Sequence, residues 1–208
     1  GKYAYVPTAN VINALTSNAT DTFTVSSSDG NLSNTQTFTV NITGVNDTPT
    51  AADKTITINE DTPTLLTVSD FGFSDVDTGS ALSSIEITSL ASDGTLEYNN
   101  GTSWVAVTLN QEISVADITG NKLRFSPSLN ENGVTYSTFN FTVNDGTVDS
   151  SAKTITYNVT AVNDTPTVSN AIVDQSASVS NVFNFVIPVN SFTDVDTSDT
   201  LTYTAQLV

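Results

Sequence analysis

Cysteine and histidine are both absent from this chain of 208 residues. Without cysteine there is no disulfide and no thiol chemistry. Without histidine most catalytic triads, proton shuttles and transition-metal sites are removed as well. Cations are scarce: Lys2, Lys54, Lys122, Lys153 and Arg124 stand against 22 acidic residues, giving a formal net charge of -17. Nucleic acid is held by neutralising its phosphates with Lys and Arg, and an anionic membrane surface attracts basic segments. The charge balance argues against both partners. No stretch approaches the ~18 apolar residues of a membrane helix, so no membrane insertion is expected. No Gly-rich phosphate loop and no signal peptide are legible.

What is present is an internal repeat, which sets the architecture before anything else is read. Val45-Asn46-Asp47-Thr48-Pro49-Thr50 returns 117 residues later as Val162-Asn163-Asp164-Thr165-Pro166-Thr167. About thirty residues beyond each copy stands Asp-Val-Asp-Thr, first at Asp75–Thr78 and then at Asp194–Thr197. The chain therefore reads as a slice of a tandem array: residues 1–46 close one unit, 47–163 form a complete unit, and 164–208 open a third.

Thr, Ser, Val, Asn and Asp dominate, and apolar residues alternate with polar ones. Phe38, Val40 and Ile42 share one face of their run; one repeat later Ile155, Tyr157 and Val159 do the same. Period-two alternation of β-branched and aromatic residues marks half-buried strands. Asp29-Gly30, Asp93-Gly94, Asn100-Gly101, Asn132-Gly133 and Asp145-Gly146 mark turns. The fold class is all-β, a series of tandem Greek-key β-sandwiches with one complete and two partial units. In the complete unit the pattern predicts seven strands, near 53–59, 65–69, 82–90, 94–109 (a hairpin about Asn100-Gly101), 121–127, 135–144 and 153–161, with a helical turn at 113–118. An end piece of about 45 residues cannot bury much core alone. Each is expected to be disordered, packed on the complete unit, or completed by another chain, which would make the end fragments a route to self-association by strand donation.

Seven-strand topology gathers distant acids at the two ends of the sandwich. At one end it places Asp75, Asp77 and Asp145 beside the incoming linker with Asn46 and Asp47. At the other it places Glu60, Asp61 and Glu131 beside the outgoing linker with Asn163 and Asp164, to which the next unit brings Asp194, Asp196 and Asp199. Calcium takes six to eight oxygens from carboxylates, amides, carbonyls and water, and clustered carboxylates repel one another unless a cation lies among them. In each Asp-x-Asp the two acids are expected to face the site while Val76 or Val195 packs inward. For Asp29, Asp93 and Asp145 taken singly, turn chemistry is an equally good account.

These residues resemble a known family. Asn46-Asp47-Thr48-Pro49 and Asn163-Asp164-Thr165-Pro166 are similar to the Asn-Asp-x-Pro linker of cadherin-type repeats, Asn59-Glu60-Asp61 resembles their Glu-bearing loop, and Asp75-Val76-Asp77 resembles their Asp-x-Asp loop. The complete unit resembles the cadherin-like repeats of large bacterial surface and RTX-type adhesins. Tyr3-Ala4-Tyr5-Val6-Pro7 with Asp21–Val25 resembles the end of a VCBS-type repeat, and Phe192–Asp196 with Asp199–Tyr203 the start of a dystroglycan-type cadherin-like repeat. The resemblance implies an extracellular or cell-surface array whose joints bind Ca2+ and stiffen, with neighbouring repeats of the same polypeptide as partners and roles in cell adhesion and biofilms. The family's Asp-Arg-Glu motif is missing, and Asn130-Glu131-Asn132 stands in its place.

Two other functions are weighed. Paired carboxylates hydrolyse glycosides in some enzymes, but these pairs lie in linker-adjacent loops with no apolar cleft implied, so no enzyme is expected. A carbohydrate-binding module of a secreted protein needs exposed aromatics. Trp104, the only tryptophan, with nearby Tyr98, is the candidate, although a tryptophan at a strand start commonly plugs a core or an edge.

Overall fold

In the computed structural model, residues 12–206 are described. Lys2 and the stretch Tyr3–Pro7, on which part of the VCBS resemblance rests, lie outside them. The chain forms two compact units, one running through Thr160 and the other from Ala161.

The first unit begins with a hairpin of β1 (Ala19–Ser28) and β2 (Ser33–Ile42) in antiparallel register. Phe23 faces Phe38 across the pair, and their rings stack at 5.4 Å. The Asp29-Gly30 turn closes it: the Asn31 and Leu32 N–H groups donate to Asp29 Oδ1 at 2.9 and 2.8 Å. Those two bonds hold the Asp29 carboxyl below its usual range.

The rest of the unit is the sandwich that the alternation predicts. Its larger sheet runs in the order β3 (Lys54–Asn59), β11 (Lys153–Thr160), β10 (Gly133–Asn144), β5 (Ser84–Ser89), β8 (Glu112–Ser114). The smaller runs β4 (Thr64–Leu65), β9 (Leu123–Ser126), β6 (Thr95–Asn99), β7 (Trp104–Ala106). All pairings in these sheets are antiparallel except that of β3 with β11. Alternate residues point inward: Phe139, Phe141 and Val143 from β10, Ile155 and Tyr157 from β11, Leu123 and Phe125 from β9. Aromatic contacts bridge the layers. Phe125 stacks on Tyr157 with centroids 3.9 Å apart, and Phe71 meets Phe141 edge-on at 5.0 Å.

Departures from the predicted strands have local causes. The run at 65–69 yields only a two-residue β4, followed by a 3-10 turn at Val68–Phe71. Asp70 Oδ2 draws both the Thr67 N–H (2.8 Å) and the Thr67 hydroxyl (2.7 Å), curling the chain and seating Phe71 in the core. Gly72 follows at φ 56, against Ala52, where a Cβ would lie 2.7 Å from the alanine methyl. The hairpin about Asn100-Gly101 forms as β6 and β7, but its far arm leaves the smaller sheet and re-forms as β8 on the edge of the larger one. The expected helical turn is α1 (Val115–Thr119), capped by Ser114, whose Oγ accepts from the Asp117 N–H.

The second unit holds one short antiparallel ladder, β12 (Thr167–Val168) with β13 (Phe192–Thr193). Among its described residues no further strand is formed. Phe183, Phe185, Phe192, Leu201 and Tyr203 line an open apolar groove of about 810 Å³.

Core burial of this kind sets the size of mutational effects. Phe141→Ala, at a fully buried position, is expected to cost about 3–5 kcal/mol, and Phe38→Ala, at a position 50% exposed, under about 1 kcal/mol. Urea unfolding of the whole chain, followed by circular dichroism, measures both.

Candidate functional site

Linker and loop meet at the amino end of the complete sandwich. Thr50 and Ser74 exchange backbone hydrogen bonds of 2.7 and 2.9 Å, laying the linker along the loop between β4 and β5. The Asp47 N–H then donates to Asp77 Oδ2 at 2.7 Å, and the Asp77 N–H to Asp75 Oδ1 at 2.9 Å. Ser80 donates its hydroxyl to Asp75 Oδ2 at 2.8 Å. The Asn46 amide bridges Asp47 O (2.7 Å) and Asp145 Oδ2 (2.9 Å), and so draws in the turn between β10 and β11. Asp145 Oδ1 meanwhile accepts the N–H groups of Thr147 and Val148. Asp145 thus serves its turn with one oxygen and the linker with the other.

Asp77 is the centre of this arrangement. It is 5% exposed, and its Oδ1 is sealed from solvent with no hydrogen-bond partner. A buried carboxylate oxygen left in this state is costly. The loop also corrects one expectation. Val76 is 57% exposed and Val195 49%, so neither packs inward. The Asp77 N–H folds back onto Asp75, which converts the segment from an alternating strand into a side-chain-capped turn and sends Asp77 inward in place of Val76. Upstream residues join the loop through the Thr78 N–H, which donates to Ala14 O at 3.1 Å. Gly44 permits the close crossing, since a Cβ there would collide with the carbonyls of Leu15 and Ser17.

The second copy of the motif, wholly within the unit from Ala161, is built alike. Thr167 pairs with Thr193, the Asn163 amide donates to Asp164 O (2.9 Å), the Asp164 N–H to Asp196 Oδ2 (2.7 Å), and the Asp196 N–H to Asp194 Oδ1 (3.1 Å). Carboxylate oxygens of Asp194, Asp196 and Asp199 lie within 4.8 Å of one another.

At the carboxyl end of the complete sandwich, Glu60 is buried at 2% exposure and its Oε2 accepts from the Asn132 amide at 3.0 Å. Asp61 accepts the Asn130 N–H at 2.8 Å. Glu131 turns elsewhere and accepts the Tyr136 hydroxyl at 2.7 Å. The structure therefore brings Asn132, which sequence reasoning passed over, onto Glu60, and leaves Glu131 on Tyr136. Three consecutive polar residues in a turn offer no periodicity from which to choose the inward one.

Trp104 and Tyr98 sit on the smaller sheet, Trp104 on its edge strand. The Arg124 guanidinium lies 4.1 Å from the Trp104 ring centre and is fixed there by a 2.6 Å bond to Glu97. That ring face is taken by a cation–π contact. Burial, and then Asp117, raise the Tyr98 hydroxyl above its usual pKa. Lys122, 2.7 Å from Asp117, holds that acid low, with Ser114 adding a second donor.

The linker clamp is a testable piece of electrostatics. Burial works to raise the Asp145 carboxyl, but the Asn46 amide and the N–H groups of Val148 and Thr147 outweigh it and hold the group below the ordinary value of 3.8. A lowered folded-state value means the clamp's contribution is complete above the ordinary carboxylate range and is lost as pH falls through the folded value. Carboxyl NMR titration of the calcium-free chain should place the Asp145 midpoint below 3.8, and Asn46→Ala should raise it.

Comparison with known families gives one match, the bacterial Ig domain, over residues 46–160. The match begins at the linker asparagine and ends with the last residue of β11, and so takes in the whole sandwich. No curated protein and no solved structure matches the chain. With the match covering more than half of its length, the chain belongs to the bacterial Ig domain family.

Proposed function

We propose that this chain is a spacer segment of an extracellular adhesin or secreted repeat protein, stiffened by Ca2+ bound at its Asn-Asp-x-Pro linkers. Domains of this family are typically non-enzymatic structural modules and commonly occur in surface or extracellular proteins. The observation that carries the calcium reading is Asp77 Oδ1, buried and unpartnered on a carboxyl whose other oxygen accepts from the linker. A hard cation supplies what that oxygen lacks, and carboxylates, an amide and backbone carbonyls are the donors calcium prefers.

Asp77, Asp75, Asp145, Asp47 and the carbonyl oxygen of Asn46 are the first set of ligands. Asp194, Asp196, Asp164 and Asn163 are the corresponding set in the second copy. Glu60, buried against Asn132, is a further acid ligand candidate within the sandwich itself. Without the ion the linker is held by a few hydrogen bonds. With it, charge repulsion among the acids is offset and the linker loses its freedom to bend. Extracellular modules bind calcium at roughly 10⁻⁴ to 10⁻³ M, so the spacer stays pliant in a calcium-poor compartment and becomes rigid outside the cell. A spacer of this kind holds a distal binding domain away from the surface that bears it.

A calcium titration of the melting temperature, with EDTA and magnesium as controls, is the test. At a hundredfold excess over the dissociation constant, one site specific to the folded state adds about 2.7 kcal/mol. A rise on the order of 5–10 °C with calcium alone is expected. Asp77→Ala should remove the part that belongs to the first linker while the sandwich stays folded. No rise in the unaltered chain would overturn the proposal.

A further inference from the structure

Within the Asp-x-Asp loops themselves, the two copies of the motif differ in charge at one position, Ser80 against Asp199. Phe73-Ser74-Asp75-Val76-Asp77-Thr78-Gly79-Ser80 is followed 119 residues later by Phe192-Thr193-Asp194-Val195-Asp196-Thr197-Ser198-Asp199. The same backbone hydrogen bond closes both loops, although Gly79 of the first adopts φ 86 and Ser198 in its place does not turn left-handed. The Ser80 N–H donates to Asp77 O at 3.2 Å, and the Asp199 N–H donates to Asp196 O at 3.0 Å. The side chains are opposite in effect. The Ser80 hydroxyl donates to Asp75 Oδ2, whereas Asp199 adds a third carboxylate within 4.8 Å of the other two.

In the first copy the donors are already in place without an ion. Asp75 Oδ1 and Oδ2, Asp77 Oδ2 and both oxygens of Asp145 accept hydrogen bonds from the chain itself, and Asp77 Oδ1 alone is left buried and unsatisfied. That oxygen marks the motif as a cation loop, but a cation arriving there competes with bonds the loop has made. In the second copy the serine donor is replaced by a negative charge, so the empty loop is destabilised by repulsion and the filled one is favoured.

We infer that the two linkers respond to calcium at different concentrations, the Asp194–Asp199 loop filling first and the Asp75–Ser80 loop second, with Asp199 and Ser80 setting the order. This inference rests on the calcium reading proposed above. One additional carboxylate about 5 Å from a dication changes its affinity about tenfold even at the dielectric of water. The array would then stiffen in stages as calcium rises rather than at a single threshold.

Calorimetric titration of the whole chelator-stripped chain with calcium alone tests this. The unaltered chain should give two phases. Asp199→Ser should weaken the tighter phase about tenfold, and Ser80→Asp should tighten the weaker one by a similar factor, so that a gain and a loss are read from independent variants. Calcium binding in a single phase, or in two phases that neither substitution moves, would overturn the inference and leave the calcium spacer standing. An unaltered chain that takes up no calcium would overturn both.

Discussion

The stacking of Phe125 on Tyr157 is the contact on which the complete sandwich depends. It joins the central part of the smaller sheet to that of the larger, and Phe71 of the 3-10 turn after β4 packs edge-on against Phe141 of the larger sheet. Once the layers are fixed at this separation, the ends of β10, β11 and β5 are fixed too, and the loops that leave them have little freedom. Asp145 follows β10 directly, and the Asp75–Ser80 loop is anchored by the seating of Phe71 just before it. The acids at the linker are thus positioned by apolar packing several residues away. This is economical in a chain without cysteine, since no cross-link is required to hold a binding loop in place.

The linker shows how a chain this acidic keeps carboxylates close together. Each accepts from donors of the chain itself: N–H groups of its own turn for Asp145, a serine hydroxyl of its own loop for Asp75, and, at one of its two oxygens, the linker's Asp47 N–H for Asp77. Among the described residues, cations are engaged elsewhere: Arg124 on Glu97 and Trp104, Lys122 on Asp117, and Lys54 near Asp70. No Lys or Arg bonds to the linker acids among the described residues. Under the proposed calcium reading, the neutralising charge at the first linker comes from solution.

Strands with a clean alternation were legible from sequence. Phe139, Phe141 and Val143, then Ile155, Tyr157 and Val159, fix β10 and β11 and the face each one buries. Elements governed by side-chain bonds to backbone were not. The turn at Val68–Phe71 depends on Thr67 reaching Asp70, and β8 has a single buried residue, Ile113, to announce it. In the site, the repeat and its acid pairs were visible, as was the convergence of Asn46, Asp47, Asp77 and Asp145. The outward turn of Val76, the choice of Asn132 over Glu131 and the capping of Trp104 by Arg124 all hinge on contacts between residues whose pairing no local pattern encodes.

One more consequence follows from the parallel pairing of β3 with β11. The first strand of the sandwich and its last lie side by side, matched over six residue pairs from Ile155–Lys54 to Thr160–Asn59. Tension along the chain enters β3 at its amino end and leaves β11 at its carboxyl end. In a parallel pair those ends lie at opposite extremes of the ladder. The pull therefore loads all of the rungs in shear at once, rather than peeling them one by one as it would in an antiparallel pair held at the same end. A domain strung in series under drag would resist extension through this one ladder, with the aromatic core beneath it held out of the line of force.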